Sequence, residues 1–166
     1  MLIVKFVMVA LLGLCSLASA QDVLLVGHVQ RVILQPSGTE NCPPPCPAVA
    51  PVQANGLRTI CAYNGGGCQT MEVRPDHVYR GDAGREIWQF KSRIGEWGAS
   101  FPVTEQAIVV SQEGGSVSWS FATERDGKLF IDPKRLRNIG GVPTSTGGTE
   151  ELVALDDVLA RLGGGR

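Results

Sequence analysis

The chain has 166 residues, with 15 basic and 16 acidic side chains, a net charge of −1 and an aromatic content of only 6%. That balance excludes a protein that coats nucleic acid or anionic membrane through bulk positive charge. The length suits one domain with a core of its own, and the 21 glycines and 10 prolines favour short strands joined by many turns.

The first element is MLIVKFVMVALLGLCSLASA. Lys5 supplies a positive start, residues 6–17 are almost wholly apolar, and Ala18-Ser19-Ala20 forms a small-x-small site before Gln21, which together predict a signal peptide over 1–20. The apolar run falls short of the ~20 residues a spanning helix needs. Leu14 stands where lipidation of Cys15 would require a small residue. The expected location is therefore extracytoplasmic, periplasmic or secreted, with no transmembrane segment after cleavage. Without Lys5, 14 basic residues face 16 acidic ones.

DVLLVGHVQRVILQ, 22–35, reads as a long first strand with a bend or bulge at Gly27. A proline-rich loop follows, carrying CPPPC at 42–46. Residues 57–63 and 68–74 predict a hairpin about Asn64-Gly65. PDHVYRGDAGR, 75–85, reads as a polar link. Further strands are predicted at 86–91 and 107–112, with turn-rich RIGEWGASFPVTEQ between them. Gly114-Gly115 turns into SVSWSFATER, where Val117, Trp119 and Phe121 alternate, and Asp126-Gly127 signals a second hairpin into KLFID. The domain is expected to span 21–140, with a Gly/Ser/Thr-rich linker at 141–149. A helix over 150–162 carries Leu152, Leu155, Leu159 and Leu162 on one stripe, with Thr149 as its cap. The fold class is mainly β: a small antiparallel OB-like barrel or a sandwich, with a C-terminal α-helix.

Four cysteines remain after cleavage, Cys42, Cys46, Cys61 and Cys68, an even number that in an exported chain reads as two disulfides. Trans polyproline rises about 3.1 Å per residue and places 42 and 46 roughly 12 Å apart. A disulfide needs Cα atoms within about 7 Å. A Cys42–Cys46 bond thus requires a cis proline or a sharp bend, and the favoured picture is a proline strap pinned at its ends to Cys61 and Cys68. A direct Cys61–Cys68 bond across the hairpin is the other arrangement. The spacing fits neither a C-x-x-C redox centre nor tight zinc knuckles.

LLVGHVQRVIL as a first strand and FKSRIGEWGASFPVTEQAIVV in the middle, in an exported disulfide-bearing chain, resemble the netrin-like module shared with tissue inhibitors of metalloproteinases. The resemblance implies an OB-type barrel. It carries no inhibitory residue over, because that family starts its mature chain on a metal-chelating cysteine and this one starts Gln21-Asp22. No cysteine follows Cys68 to match the family's later bridges.

Chemistry-bearing motifs are sparse. His77 has Asp76 beside it and Asp82 nearby, which would suit a base or a metal ligand, whereas His28 reads as a strand-face residue. No G-x-S-x-G nucleophile motif or lysine-bearing phosphate loop occurs. Arg125, Lys128, Lys134, Arg135 and Arg137 form a basic stretch interrupted by Asp126 and Asp132 and read as a solvated face. The candidate binding surface is the loop carrying Trp97 and Phe101, with Arg93 and Glu96 as a polar rim. The sequence is thus read as a non-enzymatic exported domain that binds a protein or a cell-envelope polymer, without catalytic residues, metal, cofactor or nucleic-acid partner. The alternatives are a structural subunit docking through the C-terminal helix and a metal-dependent enzyme using His77.

Overall fold

A computed structural model describes residues 22–44, 55, 66–95, 100–147 and 151–163. The fold is mainly β with one C-terminal helix, as the composition predicts. The first 21 residues, Cys46, Cys61, the strand expected at 57–63 with its Asn64-Gly65 turn, and Thr149 lie outside the described residues.

The strands are β1 (Val23–Gln35), β2 (Cys68–Arg80), β3 (Trp88–Arg93), β4 (Ile108–Glu113), β5 (Ser116–Phe121), β6 (Thr123–Arg125), β7 (Lys128–Ile131), β8 (Asn138–Ile139), β9 (Val142–Pro143) and β10 (Val153–Ala154), followed by helix α1 (Leu155–Gly163). Five of them form an antiparallel sheet in the order β3-β2-β1-β4-β5. A smaller sheet, β10-β7-β6, and the β8–β9 hairpin complete the β structure. Among the described residues no ladder joins β3 to β5, so the large sheet is open. The closed barrel is not formed, and the layered, sandwich-like alternative fits.

Two cores lie on opposite faces of this sheet. Val23 and Leu25 of β1 point to one, with Met71, Val73, Trp88, Phe90, Phe101, Ile108 and Val110. Val117, Trp119 and Phe121 of β5 pack on the same cluster, so both outer strands lean over one face and the sheet is curled around it. Leu24, Val26 and Val109 point the other way, onto Ala122, Ile131, Leu136, Ile139, Val153, Leu155 and Val158. Successive strand residues face opposite sides. VLLV in β1 and IVV in β4 are therefore continuous apolar runs because each serves both cores.

The bend expected at Gly27 is present. The β1–β2 register shifts between Val26 and Gly27, and a Cβ built on Gly27 would lie 2.3 Å from the Arg74 carbonyl oxygen. Only glycine permits that approach. The two long strands change neighbours around this point: β4 pairs with β1 over Val23–Gly27, and β3 pairs with β2 over Cys68–Val73.

Several boundaries need correction. Residues 75–80 of the stretch read as a polar link belong to the second half of β2, paired to β1 as far as Arg80, and residues 81–85 are the turn that follows. This half of β2 is polar because β3 covers only the first half, so Arg74–Arg80 runs along an edge. There Pro75, opposite Gly27, lacks no ladder partner on its open side. SVSWSFATER is two strands in two sheets, divided at Ala122, whose N–H donates to the Ala107 carbonyl at 2.9 Å. The stretch read as linker contains β9, part of a third two-residue hairpin turning on Gly140 (φ 58°) and Gly141 (φ 77°). The Asp126-Gly127 turn is as expected, with φ of 51° and 72° bringing Arg125 opposite Lys128.

The helix begins at Leu155, five residues later than expected, because Val153 and Ala154 add a strand to β7 first. Asp156 and Asp157 occupy its first turn and Arg161 its last, which suits the helix dipole. Its apolar stripe, Leu155 and Val158 with Leu159 and Leu162, is spent on the domain's own core. No helix among the described residues is long and apolar enough to cross a membrane.

Candidate functional site

The gap between the edges of the curled sheet is a cleft of about 480 Å³. Its sides are Lys91, Ser92 and Arg93 of β3 and Ser116 and Val117 of β5, with Thr70 and Cys68 of β2 between them. Asn41 and Pro43 close one end. A disulfide explains their position: Cys42 bonds Cys68, the first residue of β2, with Cα atoms 5.5 Å apart. Cys42 is fully buried and Cys68 nearly so. The turn before the strap is braced by Gly38 N–H donating to the Cys42 carbonyl at 2.9 Å and Cys42 N–H to the Thr39 carbonyl at 3.0 Å. The cysteine opening CPPPC is thus a pin holding a loop at the mouth of the cleft. A disulfide is compatible with an oxidising, extracytoplasmic location.

Lys91, Ser92, Arg93, Thr70, Ser116 and Asn41 bring hydrogen-bond donors into one space, and no acidic side chain of the described residues lines it. The cleft is chemically suited to partners rich in oxygen acceptors or negative charge.

Of the binding residues expected from sequence, Arg93 lines this cleft. Trp97 and Glu96 lie outside the described residues. Phe101 is 7% exposed, and its ring belongs to the aromatic core, so it is not presented as a surface anchor. The reason is Gln69, fully buried on β2. Its Oε1 accepts the N–H groups of Ser100 (2.9 Å) and Phe101 (3.0 Å), while its Nε2 donates to Ser100 Oγ at 2.7 Å. Trp119 Nε1 donates to the Ser100 carbonyl at 3.0 Å. These bonds draw the end of the loop inward, and nothing in the alternation pattern around position 69 announces them.

The histidines are arranged differently from expectation. Asp76 and His77 are neighbours on a strand and so point to opposite faces. Asp76 meets His28 across the ladder, Oδ2 lying 2.8 Å from Nδ1 in a contact that lacks hydrogen-bond geometry. The His77 ring packs edge-on against Tyr79, its same-face neighbour, at 4.4 Å between centroids. Asp82 Oδ1 accepts the Gly84 N–H in its own turn. Among the described residues no three His, Cys, Asp or Glu side chains come together in a metal-binding set.

A bidentate pair lies on the β1–β2 arm. Arg31 Nε and Nη2 donate to the two carboxylate oxygens of Glu72 at 2.6 and 3.0 Å, and Gln89 Nε2 adds a third bond at 3.0 Å. The hydrogen bond from Arg31 holds the Glu72 carboxyl below its ordinary range, against a desolvation effect that opposes it.

No protein-family model matches this chain, and neither the curated proteins nor the solved structures yield a significant match.

Proposed function

We propose that the protein is an exported, non-enzymatic binding domain whose partner is a protein or polymer of the cell envelope, engaged in the cleft between β3 and β5. The observation that carries this reading is the cleft's composition: Lys91, Thr70 and Ser116 bring donors to it and, among the described residues, no carboxylate lines it, on walls fixed by sheet pairing and a disulfide. Preorganised donors of this kind bind acceptor-rich groups at small entropic cost. The composition favours a polymer bearing hydroxyl, carboxylate or phosphate groups over a protein, whose hot spots typically use aromatic anchors in apolar pockets.

Export supports the same reading. The signal-like N-terminus and the Cys42–Cys68 bond fit a periplasmic or secreted domain, and that bond leaves Cys46 to pair with Cys61. Unreduced mature protein is then lighter than the reduced form by four hydrogens and begins at Gln21. Recovery of free thiols at Cys46 and Cys61 would remove the second bond from the account.

The test is co-sedimentation of the purified domain with insoluble envelope polymer, before and after protease treatment of that polymer. Retention on the protease-treated material, reduced in Lys91→Ala, is expected. Retention only on untreated material makes the partner a protein, and retention on neither overturns the reading.

A further inference from the structure

A second cleft, of about 340 Å³, lies between the β4–β5 hairpin and the segment leading into β8. It meets the first at Ser116, which lines both. Arg135 and Arg137 stand on its outer wall, with Asn138, and Ser111, Ser116 and Ser118 on its inner wall. We propose that this second cleft is an oxyanion subsite continuous with the first, and that the domain therefore reads a chain carrying repeated phosphate or carboxylate groups. The proposal rests on the binding reading above and names the chemistry of its ligand.

The arginines are held in place before any ligand arrives. Asp132 N–H donates to Ser120 Oγ at 2.9 Å, and the Asp132 carbonyl accepts from Arg135 N–H (3.1 Å) and Leu136 N–H (3.0 Å), winding the turn that presents Arg135. Leu136, between the arginines, is fully buried. Buried Thr144 donates its hydroxyl to the carbonyls of Leu136 (2.6 Å) and Arg137 (3.0 Å) and its N–H to that of Arg137 (2.8 Å). The Arg135 guanidinium lies 4.9 Å from the centre of the Trp119 ring and 5.7 Å from that of Phe121. Aromatic faces orient a guanidinium while leaving its N–H edge free for an anion.

Neither arginine has a carboxylate within ion-pair distance among the described residues, and the hydroxyls of Ser116 and Ser118 have no hydrogen-bond partner there. The acidic group in the wall is Glu113. Its Oε1 is already engaged by the Gly140 N–H and by the Ser111 hydroxyl. It therefore sets the size of the positive field without pairing to either arginine. Guanidinium groups recognise phosphate and carboxylate through paired N–H donors. With Lys91 on the far side of the shared Ser116, positive charges repeat along one path. A local path of this kind is consistent with a net charge of −1, since the overall negative balance opposes indiscriminate binding and not a shaped site.

The experiment is calorimetric titration of the intact mature domain at low ionic strength with short-chain polyphosphate and with polygalacturonate, using inorganic phosphate as the single-ion control. At least one chain should bind more tightly than the single ion, and its charged group then identifies the ligand chemistry. Arg135→Gln and Arg137→Gln should each weaken it about tenfold. Glu113→Gln, which keeps the acceptor for Gly140 and Ser111 and removes the charge, should tighten it. Thermal melts of the two arginine variants should stay close to the parent, because Arg135 and Arg137 are exposed. The subsite is overturned if neither chain binds, if inorganic phosphate binds as tightly, or if both arginine variants bind like the parent. Binding lost in Lys91→Ala and unchanged in the arginine variants would overturn this subsite and leave the first cleft standing.

Discussion

The two faces of the central sheet are built from different materials. The inner face is closed by long strands and the large rings of Trp88, Phe90, Phe101, Trp119 and Phe121. The outer face is covered by strands of two to four residues, tight turns and a nine-residue helix, whose buried side chains are small or aliphatic: Ala122, Ile131, Leu136, Ile139, Val153, Leu155 and Val158. The inner core gives the sheet its curl and so makes the first cleft. The outer layer fixes Leu136 and Thr144 and so holds the arginines of the second. Ligand-contacting edges thus stand on both cores, and each core can be loosened separately to ask what it supports.

Phe90→Ala in the inner core carries the largest expected effect, about 3–5 kcal/mol of lost stability, because a fully buried ring is replaced by a cavity. Leu155→Ala in the outer core should cost about 2–4 kcal/mol. In denaturant melts followed by the fluorescence of Trp88 and Trp119, both variants should unfold in one transition at lower midpoints. If Leu155→Ala leaves the tryptophan transition untouched, the two layers unfold independently and the expectation of one cooperative transition is wrong.

Next in size is the disulfide. Cys42 and Cys68 are 26 residues apart, and in the chain-entropy treatment a loop of that length stabilises the fold by about 3.5 kcal/mol. Paired Cys42→Ala and Cys68→Ala substitution should lower stability by about that much and weaken ligand binding, since Asn41 and Pro43 lose their anchor. Unchanged affinity would show that the strap does not shape the cleft.

Gln69→Ala is expected to cost about 2 kcal/mol, because it leaves the N–H groups of Ser100 and Phe101 without their acceptor. A smaller cost, with Phe101 still buried, would mean that packing alone holds the loop end.

The smallest expected effect is a pH dependence. The Glu72 carboxyl is held below its unfolded value, so its contribution is fully present above the ordinary Glu range near ~4.3. That contribution is lost as pH falls through the depressed folded value. Glu72→Gln should therefore lower stability at neutral pH, where that contribution is present, and converge on the parent in acid, so that the acid limb of the stability profile is flattened.

What was legible in the sequence was whatever local pattern encodes. The β1 run, the bend at Gly27, the alternation of Val117, Trp119 and Phe121, and the Asp126-Gly127 turn are all carried by a few adjacent residues. The second half of β2 was hidden because an edge strand looks polar, and the Gly140-Gly141 hairpin because its strands are only two residues long. The helix start was hidden because Val153 and Ala154 are claimed by β7, a tertiary pairing that no local signal displays. The site was least legible. Of the two described residues of the expected surface, Arg93 lines the cleft and Phe101 does not, and Lys91 and Ser116 come together through the curl of a sheet and not through sequence proximity. Phe101 looked like a loop aromatic, and a single buried amide at Gln69 turns it inward.

Amide chemical shifts of the intact mature domain, recorded during titration with the polyanion that binds, test the central claim most directly. The account predicts that the largest changes form one continuous track through Lys91, Ser92, Ser116, Val117, Ser118, Arg137 and Asn138, with the exposed face of α1 unaffected. Changes centred on α1 or on the Arg74–Arg80 edge, with the two clefts silent, would contradict it.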